Sequence, residues 1–453
     1  MTARELALLA LLQAHQADSF VQDELHCLMA RHALSSADRA LATEIALGAT
    51  RHRRTIDHLL DTLLTSPIKT MDAASRRVLQ CAAYQMIFLD RVPDYAVVNE
   101  AVTLMRTRGN ERLAALANAV LRKLPTLLDR QTPPDRVTDP RRRIPSPRGQ
   151  WILLRRPLLP ESPALRLAVA ASFPDFLAGR WQRRWGLKEA ERVMLAMNRP
   201  PRVFARVNTL RTTRDDLMAG FSKDERQAAA TGRANLLDLT ALDHDRLMTL
   251  LDQGLVTVED PTAMLAVEAL HLQPGMTVLD LCAAPGGKTS YIAELLRGQG
   301  AVWALDRSGP RLDLLRQTVE RLNLKNVHVA ANDPEHPADG FPHAFDRVLV
   351  DVPCSNTGVL GRRVEARWRL AGGLPSGLAA VQLALLAQAA ASVRAGGLCV
   401  YSTCSLEPEE NGLVVRRLLE GRRDLALQAE RETRPGPDGD GGYFAVLARL
   451  QET

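Results

Sequence analysis

The amino-acid sequence predicts a multidomain protein in which an all-α helical domain and a small α+β domain precede a Rossmann-like α/β domain. Three observations carry this expectation. Residues 1–130 show helical periodicity only, residues 131–163 hold eight prolines and no periodicity, and from about 262 short apolar runs alternate with helical segments. The boundaries drawn are 1–130 for the helical domain, 131–163 for a Pro/Arg-rich linker, 164–261 for the α+β domain and 262–453 for the α/β domain. A chain of 453 residues is long enough for each domain to bury its own core.

In the first domain, Ser36–Arg51 begins at a capping Ser35/Ser36 pair and carries Leu41, Ile45 and Leu47 at helical spacing. Ala73–Leu89 has a broad apolar stripe, Ala96–Met105 follows Pro93, and Leu113–Leu128 closes a helical bundle. The linker contains the run Arg141, Arg142 and Arg143 and reads as exposed, either resting on RNA or merely solvated. Phe173–Trp185 and Leu187–Asn198 follow as helices. Pro201–Leu210 alternates as a half-buried strand does, Thr213–Gly220 is helical, and Leu236–Leu239 and Leu255–Val258 are further strands. Beyond 262, strands fall near 277–281, 301–305, 327–330, 346–350 and 398–403, the last after a helix Leu378–Arg394 that Gly396-Gly397 stops. This alternation predicts a doubly wound parallel sheet with ligands at the strands' carboxyl ends.

Composition sets bounds. Hydrophobic content of 46% and charged content of 24% are those of a globular protein, and no apolar run reaches the length of a membrane span. The expected location is the cytoplasm. Lys+Arg number 21 against 16 Asp+Glu in residues 1–150, so nearly all of the net charge of +6 lies in the first third. That suits a polyanionic partner there or simple solubility. The six cysteines form no C-x-x-C pair, which argues against disulfides and structural zinc.

The stretch that organises the last domain is Thr277–Thr289, an apolar strand running into a glycine turn and a helix. Pro285, Gly286 and Gly287 strip the turn of side chains, so a ligand can lie against backbone amides at the helix start. It lacks the phosphate-loop ending and the G-x-G-x-x-G pattern. The next strand ends in Asp306, which either takes both hydroxyls of a ribose or caps the helix opened by Ser308 and Pro310. Asn332-Asp333 end the third strand, placed to accept from an adenine amino group or to cap a turn. The fourth strand ends in Asp351, Pro353 and Cys354, and the fifth in Thr403, Cys404 and Ser405. Cysteines at the mouths of adjacent strands can face one pocket. Each is expected beside a helix start, where a thiolate is favoured. Cys27, Cys81 and Cys399 read as small buried hydrophobes.

The segments AAPGGKT, DVPCSNTG and YSTCS with EPEEN behind it, in this order and spacing, resemble the RNA 5-methylcytosine methyltransferases. The similarity runs from about 200 to the end and includes RVNTL. ADRALATEIALGATRHR, RRVLQCAAYQMIFLDRVPDYAVVNEAV and LANAVLRKL resemble the NusB-like helical domain found in the small-subunit (16S) ribosomal RNA branch of that family. The resemblance implies a class I methyltransferase domain and S-adenosylmethionine as cofactor, held by Cys282, Ala283, Ala284, Pro285, Gly286, Gly287, Lys288, Asp306, Asp333 and Asp351. No metal is implied. The two-cysteine arrangement sets the chain apart from the DNA cytosine methyltransferases, which use the Pro-Cys cysteine as nucleophile.

By the same resemblance, Cys404 would add to carbon 6 of a flipped-out cytosine and make carbon 5 nucleophilic. Cys354 would help release the product, and Asp351 would hydrogen-bond the cytosine ring. Lys288 could serve cofactor or active site. The expected partner is small-subunit ribosomal RNA, met by a monomer, with phosphate contacts from Arg141, Arg142, Arg143, Arg122 and Lys123. Alternatives are the same chemistry on transfer RNA or large-subunit ribosomal RNA, or a non-catalytic RNA-binding scaffold. Two departures from the family pattern stand out. Arg362-Arg363-Val364-Glu365-Ala366 replaces Arg-Arg-His-Pro-Asp, and Glu259-Asp260 replaces Gln-Asp.

Overall fold

The computed structural model describes residues 1–17, 19–107, 111–307, 309–332, 344–370 and 372–451. The chain forms two units, Met1–Pro200 with Leu360–Gly373, and Pro201–Val359 with Leu374–Thr453.

The first unit begins with helices Ala3–Ala17, Val21–Arg31, Ser36–Arg51, Arg53–Asp61, Ala73–Phe88, Asp94–Thr107 and Glu111–Lys123. Ser35 caps the third by accepting from the Asp38 amide, and Asp72 caps the fifth through the Ser75 amide. Their apolar stripes meet in one core around Leu6, Ile45, Ile56, Leu59 and Tyr84. On Val21–Arg31 the buried residues are Val21, Leu25 and Leu28. Cys27 lies off that stripe and is exposed, contrary to its reading as a buried hydrophobe.

The stretch expected as an exposed linker is folded. Leu128–Asp129, Arg143–Pro145 and Trp151–Leu154 form a three-stranded antiparallel sheet with Trp151–Leu154 in the centre. Ile144, Leu154 and Leu159 join the helical core. The strands are two to four residues long and Pro145 ends one of them, so no periodicity of two is long enough to be legible. Helices Asp175–Trp185 and Leu187–Asn198 also lie in this unit, where the Asn198 side chain donates to the Ala171 carbonyl oxygen at 2.6 Å.

In the second unit, Phe204–Val207 is the middle strand of a three-stranded antiparallel sheet, flanked by Leu236–Asp238 and Val256–Val258. The larger sheet has seven strands: β1 Thr277–Leu281, β2 Ala301–Asp306, β3 Val327–Ala331, β4 Phe345–Asp351, β5 Val393–Thr403, β6 Leu425–Thr433 and β7 Gly442–Arg449. Their spatial order is β3-β2-β1-β4-β5-β7-β6. The first five are parallel, as expected, but β7 runs antiparallel to both β5 and β6, so the sheet is mixed. The last two strands escaped the sequence reading because a hairpin after the final helix breaks the strand–helix alternation. Gly396 and Gly397 also lie inside β5 and do not end the preceding helix, which stops at Ser392. A Cβ on Gly397 would stand 2.7 Å from the Asp346 carbonyl oxygen, so glycine is needed for that close strand approach.

β1 and β4 are neighbours, with the chain proceeding outward from each in opposite directions. That is the switch point at which open α/β sheets bind ligands. Among the described residues no helix is long and apolar enough to cross a membrane.

Candidate active site

The strand ends around the switch point place Lys288, Asp351 and Cys404 on one pocket. After β1, Cys282 and Gly286 both adopt left-handed backbone, with φ of 68° and 108°. The helix Gly287–Leu295 starts immediately behind them. The Asp280 carboxyl is wholly buried and accepts from the Thr289 hydroxyl at 2.6 Å, while its other oxygen has no partner. Burial, opposed by that hydrogen bond and reinforced by the Asp351 charge, pushes it up to about 7. Burial and the neighbouring carboxylates of Asp306 and Asp351 likewise push the Cys282 thiol up to about 12.

Asp306, at the end of β2, is buried with all its acceptor directions engaged. Oδ2 takes the Ala284 amide at 2.8 Å and Arg311 Nη2 at 3.2 Å, and Oδ1 takes the Arg307 amide at 2.8 Å and Arg311 Nε at 3.1 Å. Arg311 is the half-exposed and movable member of that set. Arg311 also reaches the Ala284 carbonyl oxygen at 2.8 Å, which ties the helix Pro310–Arg321 to the turn. Asp333 lies outside the described residues.

At the end of β4, the Asp351 carboxylate receives Lys288 Nζ at 2.6 Å. Burial disfavours the Lys288 charge, but Asp351 outweighs it and the ammonium is held above its ordinary value. The position of Lys288, ambiguous in the sequence, is therefore on Asp351. Both residues line a pocket with Asp260, Thr403, Cys404 and Tyr443.

Cys354 and Cys404 are free thiols with their sulfurs 3.1 Å apart. The hydrogen bond that Cys354 donates to the Cys404 sulfur, and then burial, raise Cys354 well above an ordinary thiol. The expectation of a helix start favouring a thiolate at Cys354 is thus reversed. Along the chain the next α-helices begin only at Ala366 and Gly412, so neither cysteine stands at the first residues of a helix that follows it. Asn356, in left-handed backbone with φ of 61°, stands 3.4 Å from the Cys404 sulfur through Oδ1 and donates from Nδ2 to the Cys354 carbonyl oxygen at 3.0 Å.

Behind the thiols lies a buried polar network that sequence reasoning missed. Glu410 accepts from the Ser355 amide at 3.1 Å and from the Ser355 hydroxyl at 2.7 Å. The Thr357 and Ser355 hydroxyls both meet Ser405 Oγ, and Thr403 donates to Asn411 Oδ1 at 2.6 Å. These bonds fix the two cysteine loops against each other. The segment EPEEN was visible as a motif, but nothing in its spacing says that Glu410 turns inward while Glu409 does not.

The two departures are also accounted for locally. Arg206, fully buried in the RVNTL strand, pairs with Glu259 at 2.7 Å and with Glu294. A glutamate at 259 thus supplies charge for a cation that would otherwise be buried with one carboxylate fewer. In the first unit, Val364 is buried, and Glu365 accepts the Val21 amide at 2.6 Å.

The arginines expected at phosphate are engaged within the protein. Arg141 pairs with Asp139 at 3.0 Å and Glu161 at 3.2 Å. Arg142 pairs with Asp129 at 3.1 Å, and Arg143 donates to the Val137 carbonyl oxygen. They hold the folded stretch together. Arg122 donates to Asn118 at 2.9 Å, and Lys123 is exposed. Among the described residues no group of three or more His, Cys, Asp or Glu is arranged to hold a metal ion.

The mixed seven-stranded sheet with a glycine turn at its switch point defines a Rossmann-like methyltransferase fold. Solved structures agree. The crystal structure of PH0851 superposes with a TM-score of 0.75 at 21% identity over 99% of this chain and 98% of that one. A methyltransferase homolog protein from Pyrococcus horikoshii gives a TM-score of 0.53 at 26% identity, covering 64% of this chain and 100% of that one. Residues 267–439 match the family 16S rRNA methyltransferase RsmB/F, 1–125 the NusB family, and 173–236 the RsmF/B-like ferredoxin-like domain. The "Probable ribosomal RNA small subunit methyltransferase B" of Synechocystis sp. is 33% identical over 96% of this chain and 93% of its own. The Ribosomal RNA small subunit methyltransferase B of Pseudomonas putida is 31% identical over 91% of each. The chain belongs to the ribosomal RNA small subunit methyltransferase B family, with a NusB-type helical domain at its amino-terminal end.

Proposed function

We propose that the protein methylates carbon 5 of a cytosine in small-subunit (16S) ribosomal RNA through a covalent adduct between Cys404 and carbon 6. The observation that carries this reading is the pair of free thiols, 3.1 Å apart, with Cys404 on the pocket that Lys288 and Asp351 line.

S-adenosylmethionine supplies an electrophilic methyl group. The residues that would hold it are the turn Cys282–Lys288 with Asp306 and Asp351, and Asp333 by the family resemblance. The donor set fits: the turn is bare of side chains at Gly286 and Gly287, and Asp306 presents a buried carboxylate whose movable donor, Arg311, can give way to ribose hydroxyls. The charged Lys288 fixes the Asp351 carboxylate.

The chain's own residues then divide the work. Cys404 adds as thiolate to carbon 6 of an extruded cytosine, which moves the 5,6 electron pair onto carbon 5. Asp351 hydrogen-bonds the ring and stabilises the adduct. Cys354, held protonated beside Cys404, donates its S–H to the Cys404 sulfur while that charge is present. Once Cys404 is bonded to carbon, Cys354 no longer faces that charge and gives up its own proton to solvent. As a thiolate it then takes the carbon 5 proton from the methylated adduct, and the electron pair of that C–H bond re-forms the 5,6 double bond as the Cys404–carbon 6 bond breaks and Cys404 leaves as thiolate. Asn356 keeps the two sulfurs in register from the αL position.

The test is transfer of labelled methyl groups from S-adenosylmethionine to unmodified 16S ribosomal RNA and, separately, to transfer RNA, followed by digestion to nucleosides. Label in 5-methylcytidine from ribosomal RNA alone is the expected result. Cys404→Ala should abolish transfer with cofactor binding intact, and Cys354→Ala should leave a protein–RNA species that survives denaturing electrophoresis. Turnover by the Cys404→Ala protein would refute the adduct.

A further inference from the structure

A recess on the first unit takes no part in the site described above. It is lined by His15, Arg53, Arg77, Glu365 and Trp368 among others. Trp368 is held in place by its indole N–H, which donates to the Thr50 carbonyl oxygen at 2.8 Å. The Arg53 guanidinium lies over that indole, 5.1 Å from the ring centre. Arg77 lines the same recess, and Arg76 adjoins it in sequence.

The charge here is poorly balanced. Among the described residues, the one carboxylate within ion-pair distance of Arg53, Arg76 or Arg77 is Asp57, 3.8 Å from Arg53. One Asp57 oxygen is already taken by the Gln80 amide at 2.6 Å. Burial holds Arg53 below the ordinary arginine value in spite of Asp57, with Arg76 adding to the effect, and burial together with the Arg53 charge brings Arg77 down to about 10. Glu365 also faces the recess, but its carboxylate accepts the Val21 amide, and burial raises it. Clustered guanidinium groups beside a fixed aromatic ring suit a ligand that offers phosphate oxygens and flat rings together. An acidic peptide offers carboxylates alone.

We propose that this recess binds the sugar–phosphate backbone of RNA, with Arg53 and Arg77 on phosphate oxygens beside Trp368. The proposal rests on RNA being the substrate, but not on the cytosine chemistry. The experiment is fluorescence anisotropy of a short labelled RNA oligonucleotide with the full chain, across a series of salt concentrations. Replacing two phosphate-contacting cations should flatten the plot of log affinity against log salt by about 1.5. Arg53→Gln/Arg77→Gln is expected to do so and to weaken binding on the order of tenfold, while Arg53→Lys/Arg77→Lys keeps the slope. His15→Glu, an exposed change at the rim, places negative charge there without touching the core and should weaken binding as well.

Binding of S-adenosylhomocysteine should stay unchanged in all of them, which separates this proposal from the methyl-transfer reading. Unaltered affinity and slope in folded His15→Glu and Arg53→Gln/Arg77→Gln proteins would overturn it. So would loss of binding to a poly-glutamate peptide with RNA binding retained, which would assign the recess to a protein partner.

Discussion

Asp280→Asn should remove a pH-dependent loss of stability that the native protein carries. The Asp280 carboxyl is 1% exposed, with one oxygen on Thr289 and the other unpartnered. Ionisation there leaves a buried charge with half its acceptor capacity empty, so the neutral acid is favoured. Moving this carboxyl from the ordinary 3.8 to about 7 carries about 4 kcal/mol. Because the folded protein binds the proton more tightly than the unfolded chain, this stability is complete below about pH 4. It is lost as pH rises through 7.

Glu294 is likewise pushed up to about 7, by burial in spite of Arg206, and it adds to the same decline. Asparagine has the shape of the neutral acid and cannot ionise, so the variant keeps only the Glu294 part. The assay is thermal unfolding of both proteins from about pH 4 to about pH 8, where about 4 kcal/mol corresponds to on the order of 10 °C. The native protein should lose melting temperature steadily across that window, and Asp280→Asn should lose markedly less. Parallel profiles would refute the assignment of a raised carboxyl to this position.

Three further outcomes follow from the packing. Gly48→Ala should lower the melting temperature, since its Cβ would enter the fully buried Tyr84 ring, an overpacking worth about 1–3 kcal/mol; calorimetry of the pure protein checks it. Gly286→Ala should weaken S-adenosylhomocysteine binding on the order of tenfold, measured by titration calorimetry. Its φ of 108° is unfavourable for alanine by about 1–2 kcal/mol, and the added Cβ would stand 3.0 Å from Leu315 Cδ1. Glu410→Ala strands the buried Ser355 amide and hydroxyl, at about 1–3 kcal/mol each. The released Cys354 loop should make the covalent protein–RNA species accumulate, read on denaturing gels; a native level of that species would argue against a positioning role for Glu410.

Local signals determined a good part of this protein. The apolar run of β1 followed by Pro285-Gly286-Gly287 is a strand and turn in any context, because buried parallel strands need two apolar faces and tight turns need glycine. Ser36–Arg51 and Leu187–Asn198 were legible to the residue because caps and helical spacing act within a few positions. That Cys354 and Cys404 end adjacent strands also follows from the alternation, and so does their access to one crevice.

Other features exist only where distant segments meet. Glu410 faces inward because the Ser355 amide, 55 positions away, needs an acceptor. The Glu259 departure has meaning only beside Arg206, 53 positions earlier. Lys288 acquires its partner when β1 and β4 become neighbours. The segment Leu360–Gly373 leaves the second unit to pack in the first, where Arg367 donates to Asn198 at 2.9 Å and to the Leu360 carbonyl oxygen at 3.0 Å. Periodicity reports which face of an element is apolar. Which polar group meets which is set by long-range pairing, and a buried charge declares its role only through the partner that makes its burial tolerable.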